Sequence, residues 1–359
     1  MSMKSGPARR RASLVLSATL ALCTLAGAHA AMAQERLLET GSSLLYPLFN
    51  LWVPVYAKTH RGVQITTQST GSGTGISQAV SGIAQIGASD AYMSPALVRM
   101  HPTMLNIPLA ISSQMINYNV PGLNRIHLKL SGPVLAAMYS GRVRYWNDPM
   151  IARLNPRVRL PHEPIILVHR TDGSGDTFIF TQYLSFSTPA WMNSVSYGTT
   201  VSWPAVEGGI GAEGNPGMVN ACKGTPYSIA YIGISYKNAT EKAGLGEAAI
   251  QNRAGQFVLP TPQTVQAAVN ATATHTPRNE RISLIFAPGA HSYPIINYEY
   301  AIVNAVQPNA QTAAALRTFF NWALSPQDGN APRFMKRVGF VALPTSIVAL
   351  SKAQVAMIH

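Results

Sequence analysis

Two short segments rich in glycine and serine constrain this chain more than any other feature. They are Thr70-Gly71-Ser72-Gly73-Thr74-Gly75 and Asp172-Gly173-Ser174-Gly175-Asp176, and each runs straight into an apolar-periodic stretch. Glycine lets the backbone approach a ligand closely, serine adds a hydroxyl donor, and the start of the following helix leaves N–H groups without intrahelical partners. Such a turn is an anion seat. Two of them, about 100 residues apart in the sequence, predict one small oxyanion gripped from two sides.

Around these segments short apolar runs alternate with amphipathic stretches, the grammar of an α/β protein. Residues 44–58 read as a helix entered through Gly41-Ser42-Ser43, with Ser43 as its N-cap. Residues 64–68 read as a strand, 75–83 as a helix, 86–90 as a strand ending in the carboxylate of Asp90, and 107–117 as a long apolar strand. The middle third repeats the pattern: a helix over 134–139, a strand over 165–170 ending in Arg170, and a helix over 177–186. The glycine-rich stretch 208–217 reads as a surface loop and 228–232 as a buried strand. Late in the chain, 293–298 and 300–304 read as strands and 312–324 as an amphipathic helix. Ligands of open α/β sheets sit beyond the carboxyl ends of strands. Asp90, Arg170 and both glycine-serine turns fall at such ends.

The first 33 residues read as a cleaved secretory signal. Lys4 and Arg9-Arg10-Arg11 form a basic start, an apolar region follows over 14–28, and Ala31-Met32-Ala33 is an A-x-A cleavage site. The apolar stretch is too short for a membrane span. Cys23 lies inside that stretch after Leu22 rather than after a small residue, so a lipoprotein is not expected. Cleavage after Ala33 leaves 326 of the 359 residues, enough for two domains with sizeable cores. Cys222 is then the single cysteine, which excludes an intramolecular disulfide and predicts a buried, inert thiol. The signal holds four of the 27 Lys and Arg and none of the 14 Asp and Glu, so the mature net charge is +9. These charges are scattered, with no basic stripe interleaved with aromatics, which argues against a nucleic-acid partner and leaves attraction of small anions.

A buried phosphate needs many donors and one cation of fixed geometry, and Ser72, Ser174, the amides near Gly73 and Gly175, and the Arg170 guanidinium supply them. Phosphate at neutral pH keeps a proton that needs an acceptor, and Asp90 is placed to take it. Sulfate has no such proton and would leave the carboxylate unpaired, where one unmatched buried group costs about 1–3 kcal/mol. Each piece also has a plainer reading. Gly-Ser-Gly turns are commonly loops, Asp90 would cap a turn, Arg170 would pair with Asp172 at the surface, and Asp176 would favour its helix start.

The chain resembles the secreted phosphate-binding proteins of high-affinity phosphate ABC transporters, the PstS family, over almost all of its mature length. The resemblance rests on residues 39–47 (Glu39-Thr40-Gly41-Ser42-Ser43-Leu44-Leu45-Tyr46-Pro47), Gly71-Ser72-Gly73, Ile86-Gly87-Ala88-Ser89-Asp90, Tyr145-Trp146-Asn147-Asp148, Leu154-Asn155-Pro156, residues 169–175, Tyr231-Ile232-Gly233 and Phe319-Phe320-Asn321-Trp322-Ala323. It implies a two-domain periplasmic-binding-protein fold of type II with the ligand in the interdomain cleft. Domain one would hold 34–116 and 297–359, domain two 117–296. It further implies a phosphate site of Ser43, Leu44, Leu45, Tyr46, Ser72, Asp90, Arg170, Ser174, Gly175 and Asp176, with Asp172 holding Arg170 from behind. Two departures stand out: Leu45 and Asp176 occupy positions where many relatives have threonine. A carboxylate at 176 either salt-links to a neighbouring cation or accepts a second phosphate proton. The implied protein is a monomeric periplasmic receptor, without metal or cofactor, that delivers inorganic phosphate to an inner-membrane ABC permease. A relative that binds phosphate as a sensor or scavenger, and a sulfate or molybdate binder, are the rival readings. A secreted phosphatase is the enzymatic rival, yet there is no G-x-S-x-G or H-E-x-x-H motif and the nine histidines are dispersed, so no enzyme is expected.

Overall fold

The long strands over Met104–Asn119 and Ile296–Asn304 are mostly apolar and buried almost throughout, as strands packed on both faces are. The computed structural model describes residues 1–3 and 34–359; Lys4, the arginine run, the apolar stretch with Cys23 and the Ala31-Met32-Ala33 cleavage site lie outside the described residues. Residues Gln34–His359 form one compact unit. In chain order the strands are β1 (Glu35–Gly41), β2 (Val63–Ser69), β3 (Ile86–Ser89), β4 (Met104–Asn119), β5 (Lys129–Leu130), β6 (Ile166–Arg170), β7 (Ile210–Ala212), β8 (Ser228–Gly233), β9 (Gly246–Glu247), β10 (Ala249–Gln251), β11 (Phe257–Val258) and β12 (Ile296–Asn304). The main sheet runs β2-β1-β3-β12-β4-β8-β6-β7, with β9 added to β4, and a small second sheet runs β11-β10-β5.

The 16-residue strand β4 organises this sheet, and only its last residue, Asn119, escapes full burial. From Met104 to Ser113 it pairs antiparallel with β12. From Gln114 to Asn119 it pairs antiparallel with β8. On one flank β1 lies parallel to both β2 and β3, and on the other β6 lies parallel to β8 and β7. Buried polar residues interrupt β4 near its partner change: Ser112, Ser113, Gln114 and Asn117. The β12–β4 ladder slips between Glu299 and Tyr300, where Glu299 faces Ala110 but Tyr300 faces Pro108. Proline has no N–H to give the ladder, and a bulge absorbs the loss.

Helices close the faces through aromatic packing. Phe49, Trp52 and Tyr56 of the helix Tyr46–Thr59 meet Phe319 and Trp322 of the helix Ala310–Ala323, with the Tyr56 and Phe319 ring centroids 5.2 Å apart. Such ring pairs add about 0.5–1.5 kcal/mol beyond area burial. Beside β6 and β8, Phe180 stacks on Tyr231 at 4.6 Å and packs edge-on against Tyr139. Cys222 is buried with its thiol pushed up to about 12 by burial. Among the described residues no helix is long and apolar enough to cross a membrane.

Three sequence readings are corrected. The stretch 208–217 is not a surface loop: Ile210–Ala212 pairs with β6, and a helix spans Gly214–Gly224. Its glycines mimic a loop composition, but edge pairing and a helix start use them. Residues 293–304 carry one strand rather than two, beginning at Ile296. The first predicted helix spans Tyr46–Thr59, and Ser43 is not its N-cap. Pro47 near the first turn favours the later start.

Candidate functional site

Both glycine-serine segments open helices earlier than their apolar periodicity begins. One helix spans Ser72–Val80, with Gly71 at φ 88° turning the chain into it, a backbone state that residues with a Cβ rarely adopt. The other spans Gly175–Ser187, capped by Ser174, whose Oγ accepts from the Thr177 amide at 3.1 Å. Ser72 and Gly175 therefore stand in first helical turns, where amides lack intrahelical acceptors. The two segments touch: the Gly73 amide donates to the Gly173 carbonyl at 2.7 Å. A Cβ on Gly175 would meet Asp90 Cβ at 2.5 Å and Ser72 Oγ at 2.5 Å, so only glycine fits there.

Asp90 follows β3 and is 2% exposed. Ser42 Oγ donates to its Oδ1, Ser72 Oγ lies 3.4 Å from its Oδ2, and its amide donates back to Ser72 Oγ at 3.2 Å. Burial pushes the Asp90 carboxyl up, while hydrogen bonds from Glu299, Ser42 and Ser72 and the Arg170 charge hold it down.

Arg170 ends β6 and is 3% exposed. Its amide donates to the Tyr231 hydroxyl at 2.9 Å, and that hydroxyl shares a 2.8 Å hydrogen bond with Thr177 Oγ1. The guanidinium forks onto Asp172, with Nε donating to Oδ1 at 2.6 Å and Nη2 to Oδ2. Nη1 donates to Asp176 Oδ2 at 2.8 Å. Burial alone would lower the Arg170 pKa, but the two aspartates more than offset it and raise it further. Burial likewise pushes Asp172 up, yet Arg170 and the Gly214 amide hold it below the usual carboxylate range. Asp176 is pushed up to about 7 by burial and by the charge of Asp90, against the pull of Arg170, Asn215 and Gln114.

The remaining predicted residues form a third side. Ser42 organises that turn: the Leu45 amide donates to Ser42 Oγ at 2.9 Å and the Tyr46 amide to the Ser42 carbonyl at 3.0 Å. Ser43 Oγ turns to Asn215 instead, accepting from its amide at 3.1 Å and from Nδ2 at 3.0 Å. Leu44 is buried, and its carbonyl accepts from Ser235 Oγ at 2.8 Å.

Several site-bordering residues escaped the sequence reading. Asn215 Nδ2 also donates to Asp176 Oδ2 at 2.7 Å, and Gln114 Nε2 donates to Asp176 Oδ1 at 3.1 Å. Asn297 Nδ2 donates to the Asp90 carbonyl at 3.2 Å. The signal for Asn215 was hidden by the glycines around it. A polar residue inside an apolar strand run marks Gln114, Asn297 and Glu299. Among the described residues no group of three or more His, Cys, Asp or Glu is arranged to hold a metal ion.

Residues 26–327 match the model of the PBP superfamily domain. The phosphate-binding protein PstS of Methanocaldococcus jannaschii is 34% identical over 337 residues, covering 89% of this chain and 85% of that protein. The phosphate-binding protein PstS of Haemophilus influenzae is 34% identical over 314 residues, covering 88% and 90%. Among solved structures, that of PfluDING, a high affinity periplasmic phosphate-binding protein bound with phosphate, superposes with a TM-score of 0.71 at 20% identity, covering 89% of this chain and 93% of that one. The architecture is the type II periplasmic binding fold. The chain belongs to the PBP superfamily and, within it, to the family of PstS phosphate-binding proteins.

Proposed function

We propose that this protein is a periplasmic receptor that binds inorganic phosphate and delivers it to an ABC permease of the inner membrane, acting as a monomer and without catalysis. The observation that carries this reading is Asp90: a buried carboxylate ringed by hydroxyl donors, at the meeting of two glycine-serine helix starts and in the field of a fixed arginine. That combination suits an oxyanion that still carries a proton. The Ser72 amide, the Ser174 hydroxyl and the Gly175 amide donate to the anion, Arg170 pairs with its charge, and Asp172 orients Arg170. Ser43, Leu44, Leu45 and Tyr46 wall the third side, and Asp176 sets the charge behind Arg170.

The working unit is two lobes, residues 34–116 with 297–359 and residues 117–296, hinged on β4 and on the strand entering β12. One glycine-serine segment belongs to each lobe, so the anion favours the form in which the lobes meet. The +9 charge of the mature chain raises the local concentration of anions around it. The relatives named above are phosphate-binding proteins at 34% identity, and this supports phosphate over sulfate or molybdate.

Calorimetric titration of mature protein, unfolded and refolded to free it of carried-over ligand, tests the reading. Phosphate binding at micromolar or tighter dissociation constant with sulfate silent is the expected result. Binding of neither anion overturns it, and equal binding of both removes Asp90 from its role as proton acceptor. Loss of phosphate uptake on deletion of the gene separates a transport receptor from a scavenger.

A further inference from the structure

Glu299 lies in the middle of β12, inside the apolar run Tyr298-Glu299-Tyr300-Ala301-Ile302-Val303, and is completely buried. Its Oε1 accepts from Ser112 Oγ at 2.5 Å and from Asn297 Nδ2 at 3.1 Å. No donor reaches its Oε2. The β12–β3 ladder pairs Tyr300 with Ser89, so one step further its antiparallel register sets Glu299 opposite Asp90, and Asn297 Nδ2 reaches both segments. Two buried carboxyls in contact cannot both be charged, so one of them keeps a proton. Asp90 has the Ser42 and Ser72 hydroxyls and the Arg170 charge to stabilise its ionised form. Glu299 has nothing at Oε2, where an ionised oxygen would lie buried and unpaired at a cost of about 1–3 kcal/mol or more. The proton therefore belongs on Glu299, with Asp90 as acceptor.

We propose, resting on the receptor reading above, that Glu299 is a positioning residue for anion selectivity: a carboxylic acid that donates its proton in a hydrogen bond to Asp90 and holds Asp90 as a charged acceptor facing the anion. The surrounding framework serves this arrangement. Asn297 Nδ2 bonds both the Asp90 carbonyl and Glu299 Oε1, locking the two carboxyl-bearing segments together. Ser112, opposite Asn297 in the ladder, fixes the other side, and the bulge at Pro108 follows directly after Glu299. The charged and titratable groups facing the pair are Arg170 at the end of β6 and Asp176 in the first turn of its helix. Burial and the charge of Asp90 push Glu299 well above the usual carboxyl range, in keeping with a retained proton. A neutral carboxylic acid kept in an apolar site to donate a hydrogen bond is an established device.

The consequence is selective. Without the donor, Asp90 takes up a proton more readily and turns from acceptor into donor, which a sulfate ion tolerates and a protonated phosphate does not need. Titration of wild type, Glu299→Gln and Glu299→Ala with phosphate and with sulfate measures this as the ratio of the two dissociation constants. Glutamine still donates through its NH₂, so Glu299→Gln is expected to keep both phosphate affinity and the ratio. Glu299→Ala is expected to lower the ratio by at least about tenfold. An unchanged ratio in Glu299→Ala, or a Glu299→Gln protein that behaves like Glu299→Ala, overturns the proposal. The infrared difference between wild type and Glu299→Gln provides a readout independent of ligand and of the alanine variant's folding, since other protonated carboxyls cancel. A carboxylic-acid C=O band present only in wild type is expected. Its absence overturns the proton assignment while leaving the receptor reading intact, whereas a wild type that binds no phosphate overturns the receptor reading and the selectivity role with it.

Discussion

Arg170 holds both aspartates of the second glycine-serine segment. Its guanidinium pairs with buried Asp176 and half-buried Asp172 at once, so Arg170→Ala takes the cation from both carboxylates and from the anion of the proposed site. Truncating one member of a buried hydrogen-bonded charge pair costs about 2–5 kcal/mol, and phosphate affinity measured by calorimetry is expected to fall by that amount. A change of less than about tenfold would place the arginine outside the site. Asp176 answers to pH. Its pKa is raised to about 7, mainly by burial, so its ionisation opposes the folded state. The stability it contributes is fully present below about pH 4, its unfolded range, and is lost as pH rises through about 7. Its charge also opposes a second negative charge on the ligand. Phosphate affinity is therefore expected to vary between about pH 5 and pH 8 in wild type and to vary less in Asp176→Thr. Identical profiles in the two proteins would remove Asp176 from ligand recognition.

At the scale of the element, the helix Gly175–Ser187 delivers its first turn against Asp90 because position 175 carries no Cβ. Alanine is the better helix former by about 0.8–1.0 kcal/mol, so propensity alone predicts that Gly175→Ala stabilises the helix. The added methyl would press on Asp90 and Ser72 and drive them from the junction. The expected outcome is a phosphate affinity at least about tenfold weaker, read by titration, with helix content by circular dichroism unchanged. Affinity equal to wild type would mean that Asp90 and Ser72 do not meet the anion there. These elements were legible because strands and helices of this chain follow their apolar runs: the strand ending at Arg170 and the buried strand Ser228–Gly233 both read directly. The site was legible where glycine and serine cluster before a helix. It was not legible at Asn215, because glycine serves a loop and a helix start equally well and composition cannot separate the two. Ser42 and Ser43 are adjacent and chemically identical, so only the turn geometry decides which one meets Asp90 and which one meets Asn215. Glu299 needed the fold: its partner Asp90 arrives from a strand some 200 residues away in sequence.

Across the whole molecule, another buried carboxyl ties the last helix to the segment that precedes β12. Glu280 accepts from Ser351 Oγ at 2.9 Å and from Gln354 Nε2 at 2.5 Å, both on the helix Thr345–Val355. Burial pushes Glu280 up to about 8, against the pull of these two donors. A raised carboxyl adds stability below its unfolded value of about 4.3 and loses it as pH rises through about 8. Glu280→Gln removes that titration, so its melting temperature is expected to decline less than that of wild type over this range. Equal slopes in the two proteins would exclude Glu280 as the source. The place of β12 between β3 and β4 has a further consequence, for how the molecule comes into being. A chain emerging amino end first completes β3 and β4 long before β12 exists, and until then each offers a bare edge of N–H and C=O groups to any passing strand. Pairings this distant in sequence form slowly, since a long loop has to close before the contact stabilises anything. Asp90 cannot meet Asn297 or Glu299 until that strand slots in, so the anion seat is assembled near the end of synthesis. A nascent chain therefore passes through a period in which it is sticky, unable to hold its ligand, and dependent on whatever holds its open sheet apart from its neighbours.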